Sequence, residues 1–246
     1  MNRNARGLKC VGFVLLLCGP TLIAVHLGCA EIWPNAGGGR PPWRNSTTLT
    51  ATERLFLAVE ASKAQEVSLL LSQDADPNAV DFYGQTPLLI AAHYGFVECA
   101  SVLIRSGVQV EGDRKCECSP LYEAAGMGQD EMVSLLLKNG ADVDHRHAIW
   151  RDSPLHRAVE EGHARTVALL LKSGADANLR NHAGQTALHR AAFWGYGDIV
   201  QALVERGADK DIKDNTGATA ADTAVGRGHA EVAKLLRNSA EFGGHP

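Results

Sequence analysis

The sequence predicts an all-α solenoid of about six helix-turn-helix units joined by β-hairpin loops. Three observations predict it. The motifs Thr86-Pro87-Leu88, Ser119-Pro120-Leu121, Ser153-Pro154-Leu155, Thr186-Ala187-Leu188 and Thr219-Ala220-Ala221 recur at steps of 33, 34, 33 and 33 residues. A closing glycine keeps the same phase at Gly107, Gly140, Gly174 and Gly207. So do the apolar triplets at 69–71, 102–104, 135–137, 169–171 and 202–204, with Leu235-Leu236 last. Independent features that share one period mark a stacked repeat, because chance would scatter them.

Taken in chain order, residues 1–30 come first. Arg3, Arg6 and Lys9 precede an apolar stretch from Val11 to Leu27, and Gly28-Cys29-Ala30 closes it with small residues. A positive start, an apolar middle and a small-residue exit form a secretory signal pattern with cleavage after Ala30. Two alternatives stand beside it. One is an uncleaved membrane anchor, although Gly19-Pro20 interrupts the run and His26 lies near its end. The other is a lipoprotein signal acylated at Cys29, with His26 at the position usually held by Leu. On the first two readings the positive end stays in the cytoplasm and the remainder crosses. The expected location is therefore exported, periplasmic or secreted, with any membrane contact confined to residues 10–30.

Residues 31–52 are rich in Gly, Pro, Ser and Thr without an apolar period and read as a flexible linker. They include a glycosylation sequon, Asn45-Ser46-Thr47. The repeat domain spans 53–238, with units beginning near 53, 84, 117, 151, 184 and 217, and a tail covers 239–246. Thr50-Ala51-Thr52-Glu53 is a capping box opening the first helix. In the later units Ser or Thr caps the inner helix, and in three of them Pro follows at its first position. Small pairs such as Ala91-Ala92 and Ala191-Ala192 let neighbouring inner helices approach, and the triplets bury the outer helices. Lys234 and Arg237 flank Leu235-Leu236 and give the last unit a polar outer face.

The unit Gly184-Gln185-Thr186-Ala187-Leu188-His189-Arg190-Ala191-Ala192-Phe193-Trp194-Gly195, followed by Gly207-Ala208-Asp209, resembles an ankyrin repeat, and the resemblance extends over residues 53–238. It implies that His156 and His189 tie adjacent hairpins together by hydrogen bonds, and that His163 and His229 stand at family-typical places after a turn glycine. Tyr122 replaces the motif histidine and puts that bond in doubt. The resemblance also implies that partners bind the hairpin tips and the concave face of the inner helices.

Large residues that the fold does not require should mark that surface. On the hairpins they are Phe82, Tyr83, Ile149 and Trp150; just before the turn glycines they are His93, Tyr94, Met127, Phe193 and Trp194. Packing onto a neighbouring repeat is the competing role, above all for Trp150.

Composition limits the alternatives. Hydrophobic residues make up 45% and charged residues 21%, ordinary for a folded domain. The chain has 24 Lys and Arg; without Arg3, Arg6 and Lys9, 21 remain against 28 Asp and Glu, a net of −7 after residue 30. That balance argues against nucleic acid, whose phosphates need a basic face. Only Cys99, Cys116 and Cys118 lie in the body, too few and odd in number for a disulfide framework. Cys99 is expected in the core. Cys116, Cys118, His145 and His147 fall in neighbouring hairpins and could suit zinc or a redox switch, but Cys-x-Cys and His-x-His are weak patterns, and solvated loop residues are the simpler reading. There is no phosphate loop of the G-x-x-x-x-G-K type and no H-E-x-x-H, and Glu160-Glu161 reads as a solvated charge pair. The expectation is a monomeric, non-catalytic, protein-binding module with no cofactor.

Overall fold

A computed structural model describes residues 49–81, 83–111 and 119–238. The expected leader, most of the linker, the tail, Phe82, Cys116 and Cys118 lie outside the described residues.

Twelve helices occupy the described residues: α1 Ala51–Glu60, α2 Ala64–Leu71, α3 Pro87–Tyr94, α4 Val97–Arg105, α5 Pro120–Gly126, α6 Asp130–Lys138, α7 Pro154–Glu160, α8 Ala164–Lys172, α9 Ala187–Trp194, α10 Gly197–Glu205, α11 Ala220–Arg227 and α12 Ala230–Arg237. Each odd-numbered helix starts at the predicted cap. Thr50 Oγ1 accepts the Glu53 N–H at 3.2 Å, and the Glu53 carboxylate accepts the Thr50 N–H at 2.8 Å. Thr86, Ser119 and Ser153 cap α3, α5 and α7, with Pro87, Pro120 and Pro154 behind them at positions where no N–H is needed.

The odd helices pack in one row, each against the next, and the even helices form a second row beside it. Leu55, Leu88, Leu121, Leu155 and Leu188 repeat at the same place in the inner row and are buried. The pairs Val67/Leu70, Ala100/Leu103, Val133/Leu136, Val167/Leu170, Val200/Leu203 and Ala233/Leu236 do the same in the outer row. Each fully buried leucine contributes on the order of 2 kcal/mol of transfer free energy. Of each apolar triplet, only the middle residue is fully buried throughout; Leu69, the first of its triplet, is 52% exposed. Cys99 is buried in α4, as its aliphatic position predicts.

No strand forms among the described residues. The hairpins are closed by the backbone bonds Asp81 N–H to Gln85 O, Asn181 N–H to Gln185 O and Asp214 N–H to Ala218 O, all at 2.9 Å, each with a second bond inside it from Gly84 N–H to Asp81 O, Gly184 N–H to Asn181 O and Gly217 N–H to Asp214 O. They join one another through His182 N–H to Trp150 O at 2.8 Å and Asn215 N–H to Ala183 O at 3.0 Å. One hairpin closes from His147 N–H to Asp152 O, a residue longer. That is where the 34-residue step resides, and Arg151 absorbs it in the left-handed region at φ +56°.

Candidate partner-binding surface

The last position of each inner helix, or its C-cap, falls just before a turn glycine. In the second to sixth units this register holds Tyr94, Met127, Glu161, Trp194 and Arg227. Tyr94, Met127 and Trp194 are 42%, 43% and 46% exposed, the large apolar side chains that this row presents to solvent. The Tyr94 ring stacks on Phe96, with centroids 5.4 Å apart, and Trp194 meets Phe193 edge-on at 5.1 Å.

One register earlier the side chains turn inward. Phe193 is half-buried beneath the Arg227 guanidinium, which lies 3.6 Å from its ring centre. His93 departs from the expected exposed position. It is buried, and its Nδ1 lies 3.1 Å from the Glu123 carboxylate on the next inner helix. Glu123 stands where α3 carries Ile90, so the neighbouring unit supplies a polar partner that draws the imidazole in.

A charged ladder continues along the row. Arg157 lies 2.8 Å from Glu161 and 3.7 Å from Glu160; Arg190 reaches Glu160 at 2.8 Å and Asp152 at 3.5 Å. The Arg157 chain crosses Gly126, where an added Cβ would stand 2.7 Å from its Cγ. Glu160 is therefore an embedded ladder member with a 12%-exposed side chain, not the solvated residue expected beside Glu161. Asp152 is fully buried and also accepts from the Asn181 amide at 2.9 Å. Arg157, Arg190 and Asp152 escaped sequence reasoning. The signal was there, since Glu123, Arg157 and Arg190 follow at steps of 34 and 33.

The hairpin residues divide between surface and scaffold. Ile149 is 40% exposed, whereas Tyr83 and Trp150 are half-buried, and Trp150 supplies the carbonyl that His182 uses. His147 is buried, with its Nδ1 accepting the N–H groups of Ile149 at 3.2 Å and Trp150 at 3.3 Å. In the other hairpins the carboxylate or amide oxygens of Asp81, Asn181 and Asp214 receive the N–H groups two and four residues on, where His147 receives those two and three residues on. His147 is thus a turn-closing acceptor with its proton on Nε2. His145 pairs with Glu111 of the preceding hairpin at 3.0 Å. That hydrogen bond raises the His145 pKa, and it holds Glu111 below the usual carboxylate range against the upward pull of burial. Both histidines considered as metal ligands have work within the fold.

The motif histidines tie neighbouring units as expected. His156 Nε2 meets Gln185 O at 3.0 Å and His189 Nε2 meets Ala218 O at 3.2 Å, while each Nδ1 serves its own N-cap residue. Burial lowers the pKa of both imidazoles. Tyr122, at the same register in α5, is buried against His147 with ring centres 5.4 Å apart.

A profile of the family described as "Ankyrin repeats (3 copies)" matches residues 55–147 and 155–243. The B-cell lymphoma 3 protein homolog of Mus musculus is 32% identical over 130 residues, 48% of this chain and 28% of that protein. The human neurogenic locus notch homolog protein 4 is 34% identical over 125 residues, 50% of this chain and 6% of its own length. The chain thus spans less than a third of either curated relative. Among solved structures, the ankyrin repeat domain of Bcl-3, a member of the IkappaB protein family, superposes with a TM-score of 0.69 at 32% identity, covering 74% of this chain and 82% of that one. An ankyrin repeat domain from Acinetobacter baumannii AYE gives 0.69 at 31% identity, over 74% and 95% of the two chains.

Proposed function

The chain belongs to the ankyrin-repeat family, and on that premise we propose that it is a non-catalytic protein-binding module, an adaptor, inhibitor or protective partner acting outside the cytoplasm. One observation carries the choice of surface. Tyr94, Met127 and Trp194 share one register and stay substantially exposed in an array whose core is closed without them. Aromatic and methionine side chains collected on one face supply the desolvated anchors on which interfaces depend. Glu161 and Arg227 in the same register add charge that orients a partner.

The double variant Tyr94→Ala, Trp194→Ala tests this surface, with capture of partners from the native host read by crosslinking and mass spectrometry. Loss of one dominant partner, corresponding to a decrease of ~10-fold or more in affinity, is expected with the melting temperature unchanged. An unaltered capture profile at wild-type stability would overturn it.

The location rests on the sequence pattern of residues 1–30. N-terminal sequencing of the mature protein is expected to begin at Glu31. A chain retained in the cytoplasm with its first thirty residues intact would refute export.

A further inference from the structure

The hairpins carry a second charged column, and it differs from the helix ladder in one respect. On the inner helices Arg157 and Arg190 meet carboxylates. On the hairpins Arg146 and Arg180 meet carbonyls. Arg146 Nε donates to Arg151 O at 3.2 Å, and its Nη2 donates to Arg180 O. Arg180 Nε donates to Gly184 O at 3.0 Å, and its Nη2 to Lys213 O at 3.0 Å. Arg146, Arg180 and Lys213 occupy equivalent positions of successive units, so each arginine reaches across to the backbone of its counterpart.

A carbonyl satisfies a donor but does not neutralise the charge. The nearby carboxylates are already engaged, Asp152 by Arg190 and Asn181 and Asp214 by the N–H groups of Thr216 and Ala218. Arg146, Arg151 and Arg180 line one open pocket of about 460 Å³, with His182, Asn178 and Asn215, and no carboxylate lines it. Burial, and then the charge of Arg151, pull the Arg146 pKa below its ordinary value, against a smaller opposing pull from Asp152. Like charges held together oppose folding unless something offsets them. The fold does not require them: the equivalent of Arg146 is Val80 in the first unit and Asp113 in the second.

We propose that this pocket between the hairpins at 146–151, 178–184 and 213–215 binds a phosphate group. Three guanidinium groups match a doubly charged oxyanion with three terminal oxygens better than a single carboxylate with two. Arg146 and Arg180 are already splayed and fixed by their carbonyl bonds, so little side-chain freedom is lost on binding. The pocket is far larger than a phosphate and admits the group together with whatever carries it. The site lies in the hairpins, independent of the helix-end register assigned to the protein partner.

Calorimetric titration of the full chain at low salt tests the site with pyrophosphate and with a phosphoserine tripeptide, the unphosphorylated tripeptide serving as control. Saturable binding of either phosphate probe is expected, with the source read from which binds more tightly. Affinity should fall ~10-fold in Arg180→Gln, and comparably in Arg151→Gln, since a charge-assisted bond to an anion is lost in each. Arg151 is exposed and its side chain bonds to nothing among the described residues, so that variant retains the fold if Arg180→Gln does not. Absence of saturable binding by both probes, or equal binding by Arg151→Gln, would overturn the proposal.

Discussion

His147 performs with an imidazole nitrogen what Asp81, Asn181 and Asp214 perform with an oxygen. Nδ1 of histidine and Oδ1 of asparagine are the same number of bonds from Cα, so His147→Asn should keep both turn bonds while losing the ring contact with Tyr122. His147→Ala should leave two half-buried N–H groups unpaired and cost ~1–2 kcal/mol more than the asparagine variant, measured by urea denaturation. Equal losses would show that the ring packs without holding the turn. The role was not legible in sequence, because histidine is no usual turn signal and the extra residue obscured the register. His156 and His189 set a pH dependence. Burial holds their folded pKa values below the unfolded ones, so the unfolded chain binds more protons as pH falls through about 6.5. Stability should decline there, by at most ~1.4 kcal/mol per pH unit per histidine, and level off below their folded pKa values. His145 runs the other way. Its raised pKa gives stability that is present below about 6.5 and lost as pH rises through the folded value, with solvent screening the pair because a third of each side chain is exposed. The decline should therefore be steeper in His145→Gln. A profile flat from pH 8 to 5.5 in that variant would contradict buried, neutral motif histidines.

Helix boundaries were the most legible elements, since Ser or Thr, then Pro, then the turn glycine punctuate both ends. What the punctuation does not reveal is what covers each turn. Gly195 has φ +75°, and an added Cβ would stand 2.5 Å from the His229 ring, whose Nε2 bonds Phe193 O at 3.1 Å. Gly207, at the end of the outer helix, has φ +85° and nothing within 4 Å of the same atom. Gly207→Ala should cost only the backbone term of ~1–2 kcal/mol, whereas Gly195→Ala should cost more because the imidazole must also move. Thermal melts of the two variants compare them directly; equal shifts would mean that His229 yields freely. The same limit explains His93 and Glu160. Each reads as a polar residue near a helix end, and each is drawn inward by a partner some thirty residues away, Glu123 and Arg190, which no local pattern announces.

At the scale of the array, each unit touches only its neighbours, so the number and order of units followed from the period alone. Stability in such a stack approximates a sum of unit terms and interface terms, and the end units have one interface instead of two. The sixth unit shows this in its composition. Ala221 replaces the inner leucine and is half-buried, Val225 is 50% exposed, and α12 turns Lys234 and Arg237 to solvent. Its inner helix packs on α9 alone within the inner row, whereas α7 is enclosed by α5 and α9, joined to α9 by the Glu160–Arg190 pair, with its Arg157 laid over Gly126 and Tyr122 of α5. Opening should therefore begin at the C-terminal unit. Native-state hydrogen exchange is expected to show the lowest protection in α11 and α12, a lesser loss in α1 and α2, and the highest in α5 to α9, with the ends opening at free energies a few kcal/mol below the centre. Uniform protection along the array would mean that the interfaces are strong enough to make it one cooperative unit. Arg190→Met, which removes the central rung of the ladder, should then lower every unit together rather than the centre alone.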